Sequence, residues 1–129
     1  MNIPEDYQQV MPYIIIKDAT AFTAFIKEVF GATEKYKVMR NEHTIAHAEL
    51  QIGDSMIMYA DATDQFGPCT AGMFVYVANA DETYTKALAN GATFIMPPAD
   101  MGYGRSCGII DPFGNTWWPT TAPNVKIGL

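Results

Sequence analysis

Hydrophobic positions along the 129-residue chain alternate between two periods. From Ala19 to Phe30, apolar residues Phe22, Phe25, Ile26, Val29 and Phe30 recur at helical spacing and form one stripe. Asp18 precedes this stretch as an N-cap and Gly31 follows as a stop. A second helix is predicted over Asp81 to Asn90, with Tyr84, Ala87 and Leu88 on one face and Gly91 as its stop. The remaining segments carry strand patterns. In the first half these are Val10 to Ile16, Thr33 to Met39, Thr44 to Ile52 and Ser55 to Ala60. In the second half they are Met73 to Ala78, Thr93 to Met96, Arg105 to Ile110 and Asn115 to Thr120. Gly53-Asp54 and Asp111-Pro112-Phe113-Gly114 are the turn signals between paired strands.

The same order, β-α-β-β-β, thus appears twice. Gly31-Ala32-Thr33 recurs as Gly91-Ala92-Thr93, each time directly after a predicted helix. Module 1 spans about 8–60, a linker 61–70, and module 2 about 71–121, all within a single α+β domain, 1–129. A sheet of this kind has one face covered by its helix and one bare, and the bare face needs a partner or a ligand.

Strand alternation assigns side chains to these faces. With Gly53-Asp54 as a two-residue turn, Ile52 pairs with Ser55 and Glu49 with Met58. His47, Glu49, Gln51, Met56, Met58 and Ala60 then share the bare face. Ala46, Ala48, Leu50, Ile52, Ile57 and Tyr59 face the helix. With Ile110 paired to Asn115, Arg105, Cys107, Ile109, Thr116, Trp118 and Thr120 share the bare face of the second module. A one-residue slip would reverse either set.

Net charge is −6, with ten acids and five bases in residues 1–65 and four acids and three bases after them. An acidic chain without a basic run is a poor ligand for nucleic acid or an anionic membrane. The N-terminus lacks the basic region of a signal peptide, and no apolar run approaches the ~20 residues that span a bilayer. A cytoplasmic location is expected. Cys69 and Cys107 are expected as free thiols.

Several stretches resemble the vicinal-oxygen-chelate superfamily (glyoxalase I, extradiol dioxygenases, fosfomycin resistance enzymes and bleomycin-binding proteins), and its PhnB-like branch in particular. They are Pro12 to Ala19, Val29-Phe30-Gly31-Ala32, His47-Ala48-Glu49-Leu50 with Ile52-Gly53-Asp54-Ser55, and Asp111 to Trp117. The resemblance implies tandem βαβββ modules forming a curved, cup-shaped mixed sheet with helices outside, and a homodimer. It also implies a divalent metal held by His, Glu or Gln on the first and last strands of each module. Carried onto this chain, those positions are Met11, Met58, Met73 and Trp118. Thioether and indole do not hold a hard or borderline cation, so no metal and no other cofactor is expected.

The expected ligand-binding residues are Met11, Tyr13, His47, Glu49, Met58, Met73, Tyr103, Arg105, Cys107 and Trp118. His47 and Glu49, two apart on one strand, are also the catalytic candidates, since a carboxylate beside an imidazole makes a base. They also read as ligands of a displaced metal, and above either as a hydrogen-bonded pair lining the cup or a pair at a dimer contact. Arg105 is either the anchor of a carboxylate or phosphate, or a partner in a rim salt bridge. Cys107 is a nucleophile only if activated, and otherwise a small buried side chain. His43, beside Asn41 and Glu42, is a loop residue. The leading expectation is a protein that binds a small organic molecule in a largely apolar cup. The alternatives are a metal-dependent lyase, isomerase or dioxygenase with displaced ligands, and an interaction module whose bare sheet makes only a dimer.

Overall fold

The computed structural model describes residues 1–123. Two helices and eight strands occur in the predicted order: β1 (Tyr13–Ile16), α1 (Ala19–Phe30), β2 (Thr33–Met39), β3 (Ile45–Ile52), β4 (Ser55–Asp61), β5 (Gly72–Tyr76), α2 (Ala80–Ala89), β6 (Thr93–Met101), β7 (Gly104–Ile110) and β8 (Thr116–Thr121). They form two four-stranded mixed sheets, ordered β1-β4-β3-β2 and β5-β8-β7-β6. In each, the first and last strands of the module pair in parallel and the rest are antiparallel. The class is α+β. The chain divides into two compact units, Met1–Ala71 and a second that begins at Gly72. Among the described residues no helix is long and apolar enough to cross a membrane.

In unit 1, α1 starts where the Asp18 side chain accepts from the Ala21 N–H, and ends at Gly31, whose left-handed backbone (φ 67°) suits glycine. The helix buries Phe22, Phe25, Ile26 and Val29, whereas Phe30 is only half-buried. These side chains share the core with Ala48, Leu50, Ile57 and Tyr59, the face predicted for the helix. Phe22 meets Tyr59 edge-on, and the Tyr59 hydroxyl pairs with Thr23. Fully burying each large side chain contributes about 1.5–3 kcal/mol. The Gly53-Asp54 hairpin has the expected register, Ile52 opposite Ser55 and Glu49 opposite Met58.

β4 runs one residue past its predicted end, and that residue is decisive. Asp61, expected to begin the linker, is buried. Its carboxylate accepts from the Ala19 N–H (2.8 Å) and the Ile45 N–H (2.6 Å), joining helix start to sheet. The linker then folds back, and Cys69 exchanges two backbone hydrogen bonds with Ile15 at the free edge of β1. β1 is three residues shorter than predicted at its start. Val10 is exposed, and Pro12, which has no N–H to give a ladder, only accepts from Met58.

In unit 2, α2 begins one residue earlier than predicted, with the Asn79 side chain accepting from Glu82 N–H. It packs through small residues, Ala80 and Ala87, while Leu88 of the predicted stripe stays exposed. The Thr121 hydroxyl accepts from the Ala80 N–H at 2.7 Å, the counterpart of Asp61 at Ala19. β6 continues to Met101, beyond its predicted end at Met96, although Pro97 and Pro98 lie inside it. It is an edge strand with a register break between Met96 and Ala99, where missing N–H donors are tolerated.

The second hairpin corrects the expected pairing. Ile110 faces Thr116, not Asn115, and Arg105 faces Thr121, not Thr120. The cause is Asp111. Its buried carboxylate accepts from the Phe113 and Asn115 N–H groups, the Asn115 amide and the Trp117 indole. Asn115 is thereby drawn into the turn, with its carbonyl accepting from the Asp111 N–H, and every residue beyond moves by one.

Replacing Asp61 by alanine leaves two buried N–H groups without their charged acceptor. Hydrogen bonds to charged groups are worth about 1.5–3 kcal/mol each, so losing these two in Asp61→Ala lowers unfolding free energy in urea by about 3–6 kcal/mol. A change within about 0.5 kcal/mol, the range of ordinary surface substitutions, would contradict the role given to this carboxylate.

Candidate functional site

The slip in the second hairpin redistributes the expected ligand-binding residues of unit 2. Cys107, expected to share a face with Trp118, lies on the helix side, fully buried, with Sγ 3.5 Å from the Pro119 carbonyl oxygen and 3.9 Å from that of Ala80. Burial, and then the nearby Asp81 charge, push its thiol up to about 11, so it is not an activated nucleophile. Arg105, also expected beside Trp118, turns the same way as Cys107. Its Nε and Nη2 donate to the two oxygens of Asp81 (2.7 and 3.0 Å), and Nη1 donates to Asp100 (3.2 Å). These bonds, to Asp81 first, raise its already high pKa. The guanidinium is a salt-bridge partner whose bidentate face is taken, which overturns its reading as an anion anchor. Met73 pairs with Trp117 rather than lying beside Trp118, and Phe74 is the neighbour of Trp118. Trp118 lies over Gly108, where a Cβ would come within 2.5 Å of its ring. Tyr103 is half-exposed, 6.2 Å from the Phe74 ring.

Unit 1 keeps its predicted arrangement. β1, β4, β3 and β2 place Tyr13, Met58, Glu49 and Tyr36 side by side in one row across the face away from α1. His47 lies two residues from Glu49 on the same face, and its Nε2 sits 2.7 Å from Glu49 Oε2. Its Nδ1 is 2.9 Å from the Tyr13 hydroxyl. An ionised carboxylate only accepts, so Nε2 carries the proton and donates. In a neutral ring Nδ1 then accepts from Tyr13. His43 is in the loop predicted for it, its N–H donating to the Asn41 side chain.

The fourth member of this network was not legible as such. Residues 1–9 run across the open face of the unit 1 sheet. The Tyr7 hydroxyl donates to Glu49 Oε1. Gln8 fastens the segment to the hairpin, donating to the Asp54 carbonyl (2.9 Å) and accepting from the Met56 N–H (3.1 Å). Nothing in the pattern of residues 1–9 marks such a cover, since Tyr7 and Gln8 carry no periodicity. Between segment and sheet lies a cavity of about 470 Å³, whose lining includes Ile3, Pro4, Tyr7, Met11, Glu49 and Met58. Met11 lines it from the loop before β1, not from the strand itself.

Glu49 is 6% exposed. Burial alone would raise its pKa, but the hydrogen bonds from Tyr7 and His47, together with the charge interaction with His47, outweigh it and hold the carboxyl below the usual range. The bond to Glu49 in turn raises the Tyr7 phenol. The arrangement presents a desolvated negative charge at the base of an apolar cavity, with three oriented polar groups around it.

The donor chemistry does not suit the divalent metal that the resemblance implies. Met58, at a ligand position, offers only a soft thioether beside Glu49. Both oxygens of Glu49 and both nitrogens of His47 already have hydrogen-bond partners. Met73 and Trp118 point to opposite faces of their sheet. Among the described residues no three His, Cys, Asp or Glu side chains are grouped to hold an ion.

Comparison with known proteins gives one consistent result. The sequence model of the glyoxalase/bleomycin resistance protein/dioxygenase superfamily matches residues 7–118. An uncharacterized protein of Mycobacterium bovis is 26% identical over 118 residues, covering 82% of this chain and 78% of its own. Among solved structures, TioX from Micromonospora sp. ML1 superposes with a TM-score of 0.74 at 20% identity, covering 90% of this chain and 99% of that one. A putative 3-demethylubiquinone-9 3-methyltransferase, PhnB protein, from Bacillus cereus gives 0.73 at 17% identity, covering 89% and 100%. The fosfomycin resistance protein FosX from Mesorhizobium loti gives 0.64 at 17% identity, covering 95% of each chain.

Glu49 stabilises the fold only as a carboxylate. Its folded-state pKa is lowered, so its contribution is complete above the unfolded-chain value near ~4.3 and disappears as pH falls through the folded value. Tyr7→Phe removes one of the two bonds that oppose burial. The Glu49 pKa, followed by carboxyl carbon NMR, therefore rises in Tyr7→Phe, and acid unfolding begins at higher pH. An unchanged titration would mean that Tyr7 does not hold the carboxylate.

Proposed function

The chain belongs to the glyoxalase/bleomycin resistance protein/dioxygenase superfamily, and on that premise we propose that it binds a small organic molecule on the open face of unit 1 without the metal of the superfamily. One observation carries this reading: a cavity of about 470 Å³ whose apolar lining surrounds the buried carboxylate of Glu49. Small-molecule sites have this composition, apolar walls for affinity and a few fixed polar groups for orientation. Met11 and Met58 supply adaptable walls, because thioether side chains repack around irregular shapes. Tyr7, Tyr13 and His47 set the direction of each hydrogen bond around Glu49.

A metal-dependent reading needs His47 and Glu49 to exchange their mutual hydrogen bond for an ion, with only methionine beside them. The donor set argues against that exchange. Acid–base chemistry without a metal remains compatible with binding, because the Tyr13 hydroxyl is half-exposed and faces a His47 oriented by Glu49.

The test is a fragment screen read by the methionine methyl resonances, together with dialysis against zinc, nickel or manganese. Fragments that bind move the Met11 and Met58 methyls together and leave Met101 of unit 2 in place. Dialysis leaves well under one equivalent of metal. Stoichiometric metal removable by chelator with loss of stability would overturn the metal-free part. A screen in which no fragment moves Met11 and Met58 would overturn the site.

A further inference from the structure

The groups around the unit 1 cavity also fix the charge of its occupant. The open face gathers one buried carboxylate and three tyrosine rings. Tyr13, Met58, Glu49 and Tyr36 form the row across four adjacent strands, at about 4.8 Å per strand, and Tyr7 reaches Glu49 from the covering segment. Tyr36 is near enough to Tyr7 to influence its ionisation. Tyr13 and Tyr36 are half-exposed. His47 lies between them (ring centroids 5.5 and 6.2 Å away), and a neutral ring donating to Glu49 leaves the carboxylate charge uncancelled. Each oxygen of Glu49 accepts one of these hydrogen bonds, and a carboxylate oxygen has a second lone pair.

Among the described residues no Lys or Arg side chain is paired with Glu49. Lys27 and Lys37 on this unit are engaged with Glu34, and Arg40 donates to the Asp61 carbonyl. Residues 1–71 carry ten acids against five bases, so the field of the unit adds to the local charge. An anion entering the cavity meets a carboxylate. A neutral apolar molecule gains burial only. An organic cation gains burial, the carboxylate charge and the faces of the tyrosine rings, which attract cations through their quadrupoles.

We propose that the ligand of this open face is a small organic cation, a substituted or quaternary ammonium, held over the carboxylate of Glu49 beside Tyr7 in the cavity, with Tyr13 and Tyr36 flanking on the same face. This deepens the reading of the open face as a small-molecule site and rests on it. It replaces the anionic ligand that an Arg105 anchor would have implied, since Arg105 is held by Asp81 and Asp100 on the other unit.

The experiment compares three probes of one shape and different charge at pH 8: choline, 3,3-dimethylbutan-1-ol and 3,3-dimethylbutyrate. Binding is titrated by methyl NMR on the full-length protein and on Glu49→Gln and Tyr36→Leu. The expected result is choline binding roughly 5- to 30-fold tighter than the alcohol, with the butyrate weakest. Glu49→Gln removes most of that preference. Tyr36→Leu, at an exposed position that leaves the core intact, lowers choline affinity by about 2- to 5-fold, the size expected for one cation–ring contact, while the alcohol affinity changes by less than about 1.5-fold. Alcohol or butyrate binding as tightly as choline overturns the inference and leaves the small-molecule site standing. If none of the three binds, the inference falls. If the fragment screen is then also silent at Met11 and Met58, the binding reading falls with it.

Discussion

A buried carboxylate on the sheet face, with no Lys or Arg partner among the described residues, constrains everything around it. Glu49 is nearly inaccessible to solvent, yet its pKa is lowered rather than raised. That outcome requires hydrogen-bond donors fixed in place, because burial alone drives a carboxyl towards neutrality. Tyr7 and His47 are those donors, and each has a structural consequence. Tyr7 brings the N-terminal segment over the sheet, and Gln8 fastens it to the β3–β4 hairpin. His47 takes one tautomer and thereby orients Tyr13. The cavity between segment and sheet follows from where this charge has to be satisfied.

The two units apply one plan with different chemistry. In each, the last residue of the final strand accepts from the first N–H of the helix, Asp61 for Ala19 and Thr121 for Ala80. Asp61 also accepts from Ile45 and so ties three elements together. In unit 2 the charged tie has moved to Asp111, which organises the turn before β8 and holds the Trp117 indole. The repeated Gly-Ala-Thr stretches mark the shared geometry at the helix exits. The open faces differ, a carboxylate with tyrosines in unit 1 and Phe74 beside Trp118 in unit 2.

Much of this was legible in the sequence, and the failures have physical causes. Helix α1, its caps and the Gly53-Asp54 hairpin follow from local rules, and that hairpin alone puts His47, Glu49 and Met58 on one face. The Asp111 turn defeated the same reasoning because side-chain hydrogen bonds, invisible to a pattern of apolar positions, draw Asn115 into the loop. One residue of slip moved Arg105 and Cys107 to the helix side, away from Trp118. Gly108 carried a usable signal, since a strand glycine marks close approach by a large side chain, here Trp118. Asp61 looked like linker because acids are common in linkers. Tyr7 was beyond reach because its bond to Glu49 crosses 42 residues without any periodic trace.

The account stands on an ionised Glu49 that orders His47 and Tyr13 in one direction. Long-range nitrogen–proton NMR of the His47 ring at pH 8 reads that order directly. The account predicts a neutral imidazole with its proton on Nε2, donating to Glu49, and an unprotonated Nδ1 that accepts from Tyr13. A ring with its proton on Nδ1 would contradict it, because Nε2 could then no longer donate to a carboxylate that can only accept.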